Sequence, residues 1–395
     1  MKKIREVVIV GANRTPIGAF NGSLASVSAT DLGAHVIKNA VSRAGIDAAT
    51  VDEVIMGCVL SAGLGQAPAR QAALKAGLPE TTTCMTINKV CGSGLKAVML
   101  GAQAIALGDA DVIVAGGMEN MSQVPYLLDK ARSGYRLGHG SVVDGLIKDG
   151  LWDVYNDYHM GNAAELCARE CDIPRDKQDD FAEKSYRRAQ DAQTKGYFEN
   201  EISPISIPQR KGDPVVVAAD EEPGRANFAK MRTLRPAFDK KGTVTAANAS
   251  TLNDGASAMV LMAADVAEKL GIKAQVRIIA QASAAKAPEW FTTAPVDAIR
   301  KILEKASLEL DQIDLFELNE AFAVVNLAAE KMLSISEEKM NVHGGAVAIG
   351  HPIGASGARI LTTLIHALHQ HQKELGMAAI CIGGGEASSL IVKRV

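Results

Sequence analysis

Cys91 stands in Asn88-Lys89-Val90-Cys91-Gly92-Ser93-Gly94, at the mouth of a segment whose Leu95, Val98, Met99, Ala102, Ile105 and Ala106 recur at helical spacing up to Gly108. A thiol at a helix start meets free N–H groups and the positive end of the helix dipole, both of which favour a thiolate. Alone, the position also fits a small buried cysteine beside a turn. A thiolate nucleophile near neutral pH takes a base within hydrogen-bond reach, usually histidine. His351 is a candidate, in the glycine-dense run Gly345 to Gly354 where backbone can approach a ligand closely; it also fits a loop histidine satisfied by backbone. Cys381 precedes Gly383-Gly384-Gly385, so little shielding is expected and an acid or base role is open, beside the plainer reading of a buried strand cysteine. Asn319, in Glu317-Leu318-Asn319-Glu320-Ala321-Phe322, follows a strand, where its amide or a water it holds could steady an oxyanion; a turn or capping role is the alternative.

The elements that must position these residues come in two similar sets. Residues 1 to 121 alternate Val7–Val10, a helix from Asp31 to Ala44, Val54–Met56, the Cys91 helix and Val112–Ala115. Residues 274 to 395 repeat that order with Val276–Ile279, a helix from Val296 to Ala306, Asp314–Phe316, a helix opened by Gly354-Ala355-Ser356-Gly357, and Ala379–Ile382. Four landmarks keep nearly constant offsets: Ala44 to Ala306 and Asp52 to Asp314 at 262, Ser93 to Ser356 at 263, Gly116 to Gly383 at 267. Short buried strands ending near glycine make this an α/β chain, and the offsets make it a duplicated one. From Met121 to about Ser250 the character changes. That stretch holds Trp152, most of the tyrosines and one long helix from Pro174 to Lys195, and reads as an insertion. Between Pro208 and Lys241 it carries eight Lys or Arg against five Asp or Glu, a local +3 that suits either a phosphate-bearing ligand or a solvated surface.

With 395 residues, 47% of them hydrophobic, the chain is long enough for at least two domains. A net charge of −3 leaves no electrostatic footprint for nucleic acid, and no basic amphipathic stretch marks a membrane surface. After Met1 to Glu6, the run Val7 to Val10 is too short for a signal-peptide core or a membrane span, and the final residues are not a peroxisomal tripeptide. A cytoplasmic location is therefore expected. Six scattered cysteines without a Cys-x-x-Cys pair suit a reducing compartment. No zinc spacing is present, and Cys167 with Cys171 reads as helix packing, so no metal is expected. No Gly-x-Gly-x-x-Gly follows the first strand, which disfavours a dinucleotide-binding dehydrogenase.

Six ordered motifs together resemble the thiolase family across nearly the whole chain: the Cys91 motif, Gly116-Gly117-Met118-Glu119-Asn120-Met121-Ser122, Asn248-Ala249-Ser250 with Asn253-Asp254-Gly255, Asn319-Glu320-Ala321-Phe322, Gly350-His351-Pro352 and Cys381-Ile382-Gly383-Gly384-Gly385. The resemblance implies two α/β halves in a five-layered αβαβα arrangement: residues 1–121 plus 252–273, an inserted CoA-covering loop domain at 122–251, and residues 274–395. It also implies roles. Cys91 would carry the acyl group as a thioester, His351 activate it, and Cys381 remove a proton from the α-carbon of the second acyl-CoA. Asn319 with a held water and His351 would form one oxyanion hole, the backbone N–H groups of Cys91 and Gly383 the other. Carried over as coenzyme A contacts are Leu151, His159, Met160, Phe238, Ala246 and Ser250, with Arg225 a looser match, and Ala321 and Phe322 at the acyl end.

Tyr158-His159-Met160-Gly161 resembles the short-chain members of the family, which implies reversible Claisen condensation of two acetyl-CoA to acetoacetyl-CoA and CoA, with CoA a substrate or product and no tightly bound cofactor. A broader-range 3-ketoacyl-CoA thiolase is the alternative. A decarboxylating β-ketoacyl synthase would have no need of the Cys381 base, and a non-catalytic acyl-CoA binder would have no need of all four chemical residues. Two departures flank the acyl pocket. Phe291 stands where many members have methionine, and Glu386-Ala387 where glutamine-glycine is common. Phe291, bulkier and stiffer, is expected to favour acetyl or C2-branched acetoacetyl groups. The resemblance further implies a homodimer, or a homotetramer built through Val124 to His139.

Overall fold

Along β1 (Val7–Arg14) every residue is buried, and alternate side chains enter opposite apolar clusters, Val8 and Val10 in one, Val7 and Ile9 in the other. A strand covered on both faces needs helices on both sides of its sheet. The computed structural model describes residues 4–395; Met1 to Lys3, where the expectation about a leader begins, lie outside the described residues.

After β1 come α1 (Ala29–Ala44), β2 (Glu53–Gly57), α2 (Pro68–Lys75), β3 (Thr83–Ile87), α3 (Ser93–Leu107) and β4 (Val112–Asn120). Ser28 caps α1 by accepting from the Asp31 N–H, and Gly45 stops it in the left-handed conformation. An intervening region carries α4 (Met160–Glu170) and α5 (Arg175–Thr194). The chain then returns as β5 (Asn253–Ala263), which pairs antiparallel with both β1 and β4. The second set is β6 (Val276–Ala285), α6 (Ala294–Ala306), β7 (Leu315–Leu318), α7 (Ala323–Leu333), α8 (Ile353–Gln370), β8 (Leu375–Ile382) and β9 (Glu386–Arg394). Most of these strands are longer than the apolar runs that announced them, because polar residues such as Asn13 and Arg14 continue the ladder once buried partners satisfy them.

The strand order is β3-β2-β4-β5-β1-β6-β9-β8-β7. Each half places its parallel pairing outermost and its antiparallel pairings toward the middle. The two sheets join only where Val8 faces Arg277 and Ile9 faces Val276. Between them lie α3 and α8, whose Leu95, Val98, Leu361 and Leu364 share one cluster with Ile113 of the first sheet and Ile380 of the second. Outside, α1 and α2 cover one sheet, and α6 and α7 the other. Five layers result. The window Val90–Leu107, with mean hydropathy 1.5, is long and apolar enough to cross a membrane; here it is a core helix between two sheets.

Hydrogen bonding shows the duplication directly. Asp52 Oδ2 accepts from the N–H groups of Asp111 (2.8 Å) and Val112 (2.9 Å), and Asp314 Oδ2 accepts from Glu374 (3.0 Å) and Leu375 (2.9 Å). Both β1 and β6 bulge near their starts, between Ile9 and Gly11 and between Ile278 and Ala280. Matching Val112 to Leu375 gives an offset of 375 − 112 = 263, which pairs Gly116 with Ala379 and corrects the Gly116–Gly383 landmark. Those glycines agree in type but occupy different places. Gly116 and Gly117 lie inside β4, where Gly354 from the start of α8 presses on Gly117, while Gly383 begins a turn.

The intervening region is fastened by buried charge. Arg14 Nε donates to Glu201 (2.6 Å), its Nη1 and Nη2 to Asp220 (2.6 and 2.9 Å), and Thr363 of α8 donates to Glu201 (3.1 Å). Burial opposes the Arg14 charge, but the two carboxylates outweigh it and hold the guanidinium firmly protonated.

Candidate active site

Cys91 lies in a tight loop just ahead of α3. Ser93 Oγ accepts from the Lys89 N–H (2.8 Å) and donates to the Val90 carbonyl (2.7 Å), while Asn88 Oδ1 accepts from the Val90 N–H (2.9 Å). These bonds hold Val90 at φ +45°, a strained conformation for a β-branched residue. Gly92 has no side chain because Ile382, at the end of β8, occupies the space one would need. The loop therefore rests against the strand that ends in Cys381-Ile382-Gly383.

The N–H groups of Gly383 and of Cys91 itself face the Cys91 sulfur and favour its anion, but burial outweighs them and pushes the thiol up to about 12. The expected pull of the helix start toward a thiolate is thus opposed by burial, with α3 beginning two residues later and Cys91 itself half-buried.

His351 is the corresponding group ahead of α8. Its N–H donates to Asn253 Oδ1 (2.8 Å), and its Nδ1 meets Ser356 Oγ at 2.6 Å. Ser356 donates its own proton to the Pro352 carbonyl (2.9 Å), so Nδ1 carries the hydrogen and Nε2 is left as a bare acceptor with no protein partner. Burial, assisted by the Arg359 charge, lowers the imidazole to about 3. The resting pair is thus neutral thiol and neutral imidazole. Glu119, from the end of β4, accepts from the N–H groups of Val59 (3.0 Å), Leu60 (3.1 Å) and Gly354 (2.9 Å), tying the loop after β2 to the start of α8. Burial, against those three N–H groups, raises its carboxyl to about 7.

Cys91, His351 and Gly383 line one cavity of about 710 Å³. The same cavity is lined by Leu151, His159, Met160, Arg225, Phe238, Ala246, Ser250, Ala321 and Phe322, so all nine proposed coenzyme A contacts reach it. Its wall is aromatic. His159 stacks on Phe238 with centroids 4.8 Å apart, Phe238 meets Phe322 edge-on at 6.2 Å, and Phe322 meets Phe291 at 6.3 Å. Ser250 Oγ donates to the Ala321 carbonyl (2.9 Å). Toward solvent, Arg225 lies 3.7 Å from both Glu221 and Glu222.

Cys381 and Asn319 are not on the open wall; both lie buried beside it. The expectation of an unshielded Cys381 is corrected: it is 1% exposed, paired with Ala387 across β8 and β9, and clustered with Phe291, Ala321 and Phe322. The following glycines let the chain turn sharply into β9. Burial and then the nearby Cys91 charge push its thiol well above the usual range. The Asn319 side chain has no protein partner for either amide atom, as befits a group that holds a water or a substrate oxygen. Cys167 and Cys171 share a helix face with sulfurs 3.8 Å apart. The sequence alone assigned no role to Ser356, Glu119 or Asn253, although Ser356 aligns with Ser93 and the other two stand within the six motifs; their bonds reach as far as 98 and 235 positions.

Nucleophile, base, paired backbone donors and an apolar cavity suit acyl transfer from a thioester. Residues 7–265 match the thiolase N-terminal domain and residues 272–394 the thiolase C-terminal domain. The Acetyl-CoA acetyltransferase of Escherichia coli (strain K12) is 55% identical over 394 residues, covering 99% of this chain and 100% of the relative. That of Schizosaccharomyces pombe is 53% identical over 391 residues, covering 99% of each. Among solved structures, the Bacillus anthracis acetyl-CoA acetyltransferase superposes with TM-score 0.98 at 42% identity, covering 100% of both chains. Acat5 thiolase from Ascaris suum, in complex with coenzyme A, gives 0.95 at 43% identity, covering 99% of this chain and 100% of that one.

Proposed function

The chain belongs to the thiolase family, and from that membership we propose that it is an acetyl-CoA C-acetyltransferase, condensing two acetyl-CoA reversibly to acetoacetyl-CoA and CoA. One observation carries the chemistry: a cysteine and a histidine with a bare Nε2 line a single apolar cavity with the Gly383 N–H group.

In this reading His351 Nε2 takes the Cys91 proton as sulfur attacks the acetyl carbonyl, and the N–H groups of Cys91 and Gly383 receive the developing oxyanion. Cys381 protonates the leaving CoA thiolate and becomes a thiolate itself. It then takes the α-proton of a second acetyl-CoA, whose enolate oxygen is steadied by Asn319 and His351. The carbanion attacks acetyl-Cys91, the Cys91–acyl bond breaks, and His351 returns the proton to sulfur. All three groups end as they began.

Leu151, His159, Met160, Arg225, Phe238, Ala246 and Ser250 line the proposed coenzyme A path, with Ala321 and Phe322 at the acyl end. Phe291, 3% exposed on the same wall, supports a preference for short or C2-branched acyl groups. Free cysteines are consistent with the cytoplasm as its location. The exposed Tyr126, Leu128 and Leu137 support a homotetramer built through the Val124 to His139 segment, the homodimer being formed through the core halves. The decisive assay compares thiolysis of acetoacetyl-CoA with that of a long-chain 3-ketoacyl-CoA, with intact-protein mass for an acetyl group on Cys91. We expect acetoacetyl-CoA to be favoured; equal efficiency would replace the short-chain reading with the broader degradative one, and no acyl-enzyme would remove the mechanism.

A further inference from the structure

The two loops that bring N–H groups to the Cys91 sulfur are joined by one ion pair. Lys89, two residues ahead of Cys91, reaches Glu386, the first residue of β9, 297 positions away. Glu386 lies opposite Ile382 in the β8–β9 register, and Ile382 packs against Gly92. The pair and the apolar contact together fasten the nucleophile loop to the glycine turn.

The glycine turn is not stiff by composition: Gly384 and Gly385 have φ +90° and +83°, with no side chain to anchor it, and it faces a nucleophile loop in which Val90 is held at a strained φ +45°. The Lys89 backbone, by contrast, is fixed at both ends: its N–H donates to Ser93 Oγ (2.8 Å) and its carbonyl accepts from Gly92 (3.0 Å). A pull on its side chain is therefore passed to residues 90–92. Neither Lys89 nor Glu386 lines the cavity, so neither touches the acyl group. Their side chains are 26% and 38% exposed, which makes the pair a poor source of stability but leaves it able to fix a distance. An oxyanion hole depends on such distances, because donors act only within a few tenths of an ångström of their working positions. Lys96, on the first turn of α3, lies within Coulomb range of both groups, so removing the carboxylate would leave two lysines facing each other.

We propose that the Lys89–Glu386 pair is a clasp of positioning residues that sets the separation of the Cys91 and Gly383 N–H donors. The inference rests on the acyl-transfer reading above and assigns a role to the Glu386 departure from the family pattern.

The test uses Glu386→Gln, Lys89→Met, the double variant and the exchanged pair Lys89→Glu with Glu386→Lys, each first checked for fold by circular dichroism. For acetoacetyl-CoA thiolysis, each single variant should lower kcat on the order of tenfold with KM within about twofold. The double variant should lose no more than the worse single one, and the exchanged pair should recover most of the rate. Alkylation of Cys91 by iodoacetamide gives a readout independent of substrate. Loss of a nearby anion would by itself speed alkylation of Glu386→Gln, whereas misplaced N–H donors would slow it, and the clasp requires the slower rate. Wild-type kcat with equal or faster alkylation in Glu386→Gln would overturn the proposal, as would strictly additive losses in the double variant. Should Glu386→Gln fail to fold, Lys89→Met with the exchanged pair decides, since a rate not recovered by exchange overturns it equally. A wild-type protein inactive on acetoacetyl-CoA would sink the acyl-transfer reading instead, and the alkylation comparison would still judge the clasp.

Discussion

The two halves use one scaffold to present two different reactive groups. In each, a central helix starts near the end of a strand, and a serine at equivalent positions, Ser93 and Ser356, bonds backward into the preceding loop. Ser93 spends both its donor and acceptor capacity on backbone, closing the turn that carries Cys91. Ser356 donates to backbone but turns its lone pair to the His351 ring. One serine shapes a loop; its counterpart chooses a tautomer. The strand ends differ as well, since β4 runs on past Glu119, which ties loops together, whereas β8 ends in Cys381-Ile382 and a glycine turn. Duplication supplied the frame, and divergence at helix starts and strand ends supplied the chemistry.

The sharpest contrast lies between the two cysteines. Cys91→Ala should abolish acyl-enzyme formation, while Cys381→Ala should still acetylate Cys91 yet lose condensation by about 10³-fold or more, as mass spectrometry and condensation rate would show. Equal loss of both steps in Cys381→Ala would erase the division of labour. Next come the two serines. Ser356→Ala should lower kcat by roughly 10- to 100-fold without weakening substrate binding, since the histidine loses the acceptor that fixes its tautomer. Ser93→Ala should act mainly on fold, seen as a lower melting temperature; the reverse pattern would exchange the roles assigned to them.

A thiol pushed up to about 12 and an imidazole lowered to about 3, both on one cavity, lead to a pH profile. A raised thiol pKa keeps the anion scarce, so alkylation of Cys91 should climb by about tenfold per pH unit from 7 to 10. A plateau below pH 8 would mean a preformed thiolate–imidazolium pair. The smallest effect tests the symmetry of the halves. Asp52→Ala and Asp314→Ala each remove two backbone hydrogen bonds, and each should cost about 1–2 kcal/mol in urea melts. Losses differing by more than that range would show that the matching bonds carry unequal loads.

Much of this was legible in the residues. Helical periodicity placed α1, α3, α5 and α8, and the aspartate and serine landmarks aligned the halves because the aspartates accept the same pair of backbone bonds in each and both serines donate to a carbonyl of the preceding loop. Glycine was the poorer guide. Gly116 and Gly383 were matched by type although one allows close packing inside a strand and the other allows a turn, and the run 383–385 suggested an open Cys381 where the residue is buried. The bare Nε2 of His351 needed the direction of one hydroxyl, and the Lys89–Glu386 pair joins residues 297 positions apart that no local pattern links.

The placement of α3 also governs how the chain is made. Its apolar surface is covered by α8, whose last residue is synthesised 370 − 107 = 263 residues after its own. At roughly 5–20 residues per second, a ribosome leaves this span-like helix without its partner for on the order of 10 to 50 s. During that interval the nascent polypeptide offers a target for chaperones and for membrane-targeting factors, and the cavity that later holds the reaction has only one of its two halves.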